Sequence, residues 1–151
     1  MKVSRKRVIA AEPAAVWKLV SDPHSIPRWW PRAMRVEDVR SARYDEWTTV
    51  LRTERGRGVR ADYRCTASTA ERRYAWEQEV AGTPFERILR SSKLEIGLDG
   101  DAGGTRVTLT SEENLRGLSR LGAGMMRGAT RRRLDEALDG IGRALTRSED
   151  E

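Results

Sequence analysis

The side chains that most often carry chemistry are scarce in this sequence. There is one histidine, His24, and one cysteine, Cys65. A Ser/His/Asp relay or a multi-histidine metal site is therefore excluded or badly weakened. His24 follows Pro23 in a polar stretch, which suits a surface or loop-packing role better than general-base work. Cys65 alternates onto the apolar strand face that carries Tyr63 and Ala67. Such a cysteine usually behaves as a small buried hydrophobe. As a nucleophile it would want a basic neighbour, and the sequence identifies none. Two glycine-bearing segments imitate known sites. Asp99-Gly100-Asp101-Ala102-Gly103-Gly104 opens like a calcium loop, but Gly103 stands at the fifth ligand position and Thr110 where the closing Glu is required. It reads as a hairpin turn. Gly122-Ala123-Gly124 has no strand directly before it, and Arg127 replaces the third glycine of a dinucleotide fingerprint. No metal and no cofactor is expected.

The aromatic residues are more informative. Trp29, Trp30, Trp47, Tyr63, Tyr74 and Trp76 all fall in elements that would line a sheet or its entrance. Filling a core is the plain reading; contact with a ligand is the expectation for at least two of them. Arg90 has the strand parity of Leu94, Ile96 and Leu98. Pointing inward, its guanidinium would need a partner, because an unpaired buried charge is costly. Glu113, with the parity of Val107 and Leu109, could supply one. A bulge near Ser91-Ser92 would instead turn Arg90 outward and Leu89 inward. Both readings stand. Arg131-Arg132-Arg133 and the basic start of the chain invite nucleic acid. Yet Asp135, Glu136 and Asp139 follow at once, and the helix has no aromatic residue for stacking. The triplet reads as a solvated helix face, so nucleic acid is not an expected partner. An anionic membrane or an acidic partner stays open.

These residues must be positioned by a definite series of elements. Val3 to Ala11 reads as a strand, and Pro13 suits the first turn of a helix whose apolar face is Val16, Leu19 and Val20. Asp22-Pro23 stops that helix. The segment Ser25 to Pro31, with two prolines and two tryptophans, can form only a short helical turn or a loop pinned by burial. From Met34 the signal is β. Strands are expected over Trp47 to Thr53, Val59 to Ala67, Tyr74 to Val80, about Phe85 to Leu98, and Thr105 to Glu113. Short turns join them, so the sheet is antiparallel. Met126, Thr130, Leu134, Leu138, Ile141 and Leu145 then make one helical stripe. Leu115, Leu118 and Leu121 lie out of phase with it, and glycines follow. A lead-in segment, a break at Gly122-Ala123-Gly124, and a main helix from about Gly124 to Arg147 are expected. The lead-in would cover a cavity mouth. Hinge motion, room for a ligand or close backbone packing would explain Gly122, Gly124 and Gly128.

Length and composition bound the class. The 151 residues suit one domain spanning 1–151. Hydrophobic residues make up 38%, including 5 Trp, enough for a core and against wholesale disorder. No apolar run approaches the roughly 20 residues of a membrane span. The basic start lacks an apolar region behind it, so no signal peptide is expected. A single cysteine allows no internal disulfide and fits a cytoplasmic location. The formal charge of +6 resides at the two ends of the chain, the body from 8 to 114 being neutral. Only 4 of the 29 basic residues are lysine, a bias that GC-rich coding explains as readily as nucleic-acid binding.

Three segments carry a family resemblance. They are Ile9-Ala10-Ala11-Glu12-Pro13-Ala14-Ala15-Val16-Trp17-Lys18-Leu19-Val20-Ser21-Asp22, then Arg28-Trp29-Trp30-Pro31, then Gly103-Gly104-Thr105-Arg106-Val107-Thr108-Leu109. Through them the chain resembles the START-like, helix-grip superfamily called SRPBCC, and within it the polyketide cyclase/dehydrase-type proteins. The resemblance implies an α+β helix-grip fold: a curved antiparallel sheet of about seven strands around a long C-terminal helix, with two short helices after the first strand. It also implies a cavity that holds a small apolar or amphipathic ligand, lipid-, polyketide- or aromatic-like. The rings Trp29, Trp30, Trp47, Tyr63, Tyr74 and Trp76 are expected to line it. So are Cys65, Arg90, Leu94, Leu109 and Met126. A cyclase/dehydratase-like enzyme and a co-chaperone-like interaction module are the alternatives. The family's motifs specify a fold and name no catalytic residue. A monomer or a homodimer fits equally.

Overall fold

A computed structural model of the protein describes residues 1–40, 45–117 and 120–150, without the side chains of 120 and 147–150. Seven strands form one antiparallel sheet in the order β1-β7-β6-β5-β4-β3-β2. They are β1 (Lys2–Ile9), β2 (Ala33–Arg40), β3 (Glu46–Arg52), β4 (Gly58–Thr69), β5 (Arg73–Gln78), β6 (Leu89–Asp101) and β7 (Gly104–Leu115). The helices are α1 (Pro13–Val20), α2 (Ile26–Trp29) and the long α3 (Arg120–Asp150). Pro13 stands in the first turn of α1, where a missing N–H costs nothing. The proline-rich segment becomes a 3₁₀ turn at Pro23–Ser25 running into the four-residue α2. The sheet is curved and carries the helices on its concave face, the α+β helix-grip arrangement.

Alternation on β6 and β7 turns Leu94, Ile96, Leu98, Val107 and Leu109 inward, all nearly inaccessible to solvent. Leu134, Ala137, Leu138, Ile141 and Ala144 of α3 meet them, and Val16, Leu19 and Val20 of α1 close the side. Two glycines permit close approaches that no other residue would. A β-carbon at position 140 would sit 2.4 Å from the Trp29 carbonyl oxygen, so Gly140 lets α2 dock on α3. Gly104, at φ +132°, would place one 2.1 Å from the Ile9 carbonyl oxygen, where β7 begins against the end of β1. The Thr105 hydroxyl then donates to the Ala11 carbonyl over 2.7 Å.

Two sequence expectations are corrected. The strand expected from Phe85 begins at Leu89, because Thr83-Pro84 leads into a 3₁₀ turn at Pro84–Arg87. The expected break at Gly122-Ala123-Gly124 is absent: α3 runs through these glycines from Arg120. The chain turns instead at Gly117, with φ +68°, a backbone region open to glycine. Leu118 lies outside the described residues. Arg5 donates to Asp135 over 2.9 Å, and Arg7 pairs with Asp139, so β1 is fastened along α3.

Candidate functional site

The sheet extends further under α3 than the core does. Beyond the Leu134 turn the helix and sheet enclose a cavity of about 470 Å³. That is within the usual size range of small-molecule sites. Its wall is mostly apolar: Trp30, Val59, Tyr63, Trp76, Phe85, Leu89, Leu94, Leu115 and Met126. Exposed Arg32, Arg52, Glu54 and Ile88 also border it and mark the solvent side.

The six rings divide into two groups around Trp76. Ring centroids of Trp29, Trp30, Trp47, Tyr63 and Tyr74 lie between 5.7 and 6.4 Å from that of Trp76. Trp47 stacks nearly parallel to Tyr63 and Tyr74, at interplanar angles of 17° and 19°. Trp30, Tyr63 and Trp76 border the cavity. Trp29, Trp47 and Tyr74 belong to the packed core behind it, as does Leu109. Of the expected lining, Leu94 and Met126 also border the cavity, whereas Cys65 and Arg90 do not. Cys65 is half-buried on β4, its thiol donating to the Ala67 carbonyl over 3.4 Å. Burial pushes that thiol up, with the Ala67 backbone and Tyr74 partly opposing, so at neutral pH it is a poor nucleophile.

Arg90 takes the outward alternative. The β6–β7 register shifts between Leu89 and Ser91, and across this bulge Leu89 becomes buried while Arg90 is exposed. Beside the exposed Arg32, Arg52 and Lys93, the cavity is lined by the partly buried Arg133, whose Nη2 donates to Oε1 of Glu113 at 2.5 Å. Glu113 is the inward acid that strand parity indicates, 8% exposed, but its partner comes from the helix. Arg133 therefore departs from the solvated face expected of Arg131-Arg132-Arg133. The spacing held a signal for it: Arg133 lies two turns beyond Met126 and three residues beyond Thr130, on the same stripe.

Strand register assembles a polar row beside this pair. Tyr63 of β4 faces Gln78 of β5, and Ser92 of β6 faces Glu113 of β7. The β5–β6 ladder pairs Glu77 with Lys93, so Gln78 and Ser92 fall opposite one step further along. Tyr63, Gln78, Ser92 and Glu113 thus cross four neighbouring strands in one line, all bordering the cavity, with Arg133 above them. Burial pushes the Tyr63 phenol up; the Arg133 charge opposes this, while Glu113 and Asp62 reinforce it. Tyr63 is thereby held as a neutral hydroxyl. Among the described residues, Gln78 Nε2 and Arg133 Nε are buried without a hydrogen-bond partner.

Elsewhere the candidate chemistry thins out. His24 is exposed in the 3₁₀ turn after α1, its backbone N–H donating to Asp22. Asp99 to Gly104 forms the β6–β7 hairpin. Among the described residues no three His, Cys, Asp or Glu side chains are grouped to hold a metal ion, and no helix is long and apolar enough to cross a membrane.

Sequence and structure comparisons agree with this geometry. The sequence model for polyketide cyclase / dehydrase and lipid transport matches residues 1–146. No curated protein matches the sequence. A crystal structure of a Nitrosomonas europaea protein is similar at TM-score 0.76 and 17% identity, over 100% of this chain and 97% of its own. A START superfamily protein from Mycobacterium smegmatis is similar at TM-score 0.75 and 13% identity, over 95% and 98%. The di-domain ARO/CYC BexL of the BE-7585A biosynthetic pathway is similar at TM-score 0.78 and 17% identity, over 97% of this chain and 46% of its own. At such identities the likeness is one of fold.

Proposed function

The chain belongs to the polyketide cyclase / dehydrase and lipid transport family, and from that premise we propose that it binds a small apolar or amphipathic molecule between sheet and α3. The observation that carries this reading is the cavity of about 470 Å³ walled by Trp30, Tyr63, Trp76, Leu94 and Met126. A lipid-, polyketide- or aromatic-like body suits such a wall. Burying about 200 Å² of apolar surface yields roughly 5 kcal/mol at ~25 cal/mol per Å², before association costs. Micromolar affinity then calls for a larger body or a polar anchor. The protein works as one START-like domain over residues 1–151, in the cytoplasm, as a monomer or a homodimer.

The test is titration with Nile red, a neutral environment-sensitive dye, together with native mass spectrometry of protein as purified. Micromolar binding, weakened several-fold by Met126→Trp filling the cavity, is the expected result. An unaltered dye signal from Met126→Trp would remove the cavity from the account.

A cyclase- or dehydratase-like activity is the second reading. The observation that favours it is the convergence of Tyr63, Glu113 and Arg133 on one apolar space, since proton transfer needs positioned acids and bases. Tyr63→Phe separates the two readings. It leaves carriage of a ligand nearly intact, whereas it lowers turnover of a polyketide-like substrate by about a hundredfold if the hydroxyl moves a proton.

A further inference from the structure

The polar end of the cavity has a definite hydrogen-bond and charge character. Arg133 and Glu113 neutralise one another across their hydrogen bond, so the pair adds no net charge to the buried end. What is left over is N–H capacity. Arg133 Nε and Gln78 Nε2 are buried donors without partners among the described residues, and the neutral Tyr63 hydroxyl borders the same space. A buried donor left unmade is costly, and a ligand acceptor placed there relieves the cost. Gln78 is itself 7% exposed, so bulk water does not serve it freely. A carboxylate could accept from these donors too, but it would bring a second negative charge beside the buried Glu113. Arg32, Arg52 and Lys93, the exposed cations that also border the cavity, lie in solvent, where salt screens them.

We propose that the cavity selects ligands presenting an uncharged oxygen acceptor, a ketone, ester or quinone carbonyl, at their buried end, and that Glu113 is the residue that sets this charge selectivity. The proposal rests on the ligand-binding reading above and narrows it. Gln78 and Arg133 donate to the carbonyl oxygen; Glu113 cancels the charge that would otherwise make Arg133 an anion site.

Three probes with one naphthalene body test it by isothermal titration: methyl naphthyl ketone, naphthoate and ethylnaphthalene, substituted at the same ring position. The wild-type protein should hold the ketone about tenfold tighter than naphthoate and about fivefold tighter than ethylnaphthalene, the size expected of one or two net hydrogen bonds. Glu113→Gln should raise the affinity for naphthoate about tenfold more than it raises that for the ketone, since an unpaired Arg133 then faces the carboxylate. Arg133 is partly solvated, so this variant should fold, and its thermal melt verifies that. If it does not fold, Gln78→Met decides: the preference for ketone over ethylnaphthalene should fall about twofold or more, Arg133 being left as the one donor, and an unchanged preference overturns the proposal. Naphthoate bound as tightly as the ketone by the wild type overturns the proposal, as does an unchanged ratio in a folded Glu113→Gln. Equal binding of ketone and ethylnaphthalene overturns it while leaving the ligand-binding reading intact. Failure of all three probes to bind overturns both.

Discussion

One helix, α3, behaves as two. Over its second half every inward position is filled: Leu134, Leu138 and Ile141 are at most 1% exposed, and Gly140 lets α2 touch the helix backbone. Over its first half Leu121 and Met125 are 80% and 71% exposed, and a β-carbon at Gly124 or Gly128 would meet no described residue within 4 Å. The helical periodicity is the same in both. What changes is the occupant of the inward stripe, which passes from Leu138 and Leu134 to Thr130 and Arg133, then to half-buried Met126. The sheet beneath changes in step, from Ile96, Val107 and Leu109 to Gln78, Ser92 and Glu113. A fold can thus hold a cavity without weakening itself, provided its two functions occupy different lengths of the same elements.

Truncating the same stripe at its two ends is the sharpest way to break this comparison. Leu138→Ala should cost about 2–5 kcal/mol in denaturant unfolding, because the close-packed site cannot collapse around the void. Met126→Ala should cost about 1 kcal/mol or less, since its side chain already borders empty space. Equal losses would mean that the two halves are one core. Gly140→Ala comes next. Its new methyl would press on the Trp29 carbonyl, so α2 must move off α3, at about 1–3 kcal/mol. A gain in stability there would show that α2 is not held where it stands.

The filled half was legible in the sequence and the open half was not, for a physical reason. Apolar periodicity reports what must leave water, so the stripe from Thr130 to Leu145 and the faces of β6 and β7 could be read directly. Polar side chains that line a cavity carry no such signature. Arg133 sits inside a run of three arginines, and composition assigns all three to solvent; only its distance from Met126 distinguishes it. Arg90 shows what strand parity leaves open. Parity points it inward and a bulge turns it outward; the register shift between Leu89 and Ser91 decides for the bulge, and a bulge depends on what neighbouring strands demand. Trp29, Trp47 and Tyr74 could not be told from Trp30, Tyr63 and Trp76, since both groups are aromatic and inward. Only the packing around Trp76 separates them. The glycines at 122 and 124 suggested a break, yet tertiary packing further along holds α3 continuous through them.

Gly124 and Gly128 carry the smallest expected effect and the most direct test of why the open half is open. Close backbone packing is not what these two positions show, because no described residue lies within 4 Å of where a β-carbon would go. Hinge motion and room for a ligand remain. Replacing a helical glycine by alanine restricts the unfolded chain and gains up to about 1 kcal/mol per site where the backbone accepts it. The pair Gly124→Ala and Gly128→Ala should therefore raise stability by about 1–2 kcal/mol. If the first turns of α3 must loosen to admit a ligand, the stiffer helix opens less often. Stopped-flow association of Nile red should then slow several-fold, with the dissociation constant moving less than about twofold. A weakened dissociation constant at unchanged association rate would show instead that the glycines keep space for the ligand. An unchanged stability would show that this stretch of α3 is held by contacts the alanines disturb, and the contrast between the two halves of the helix would shrink accordingly.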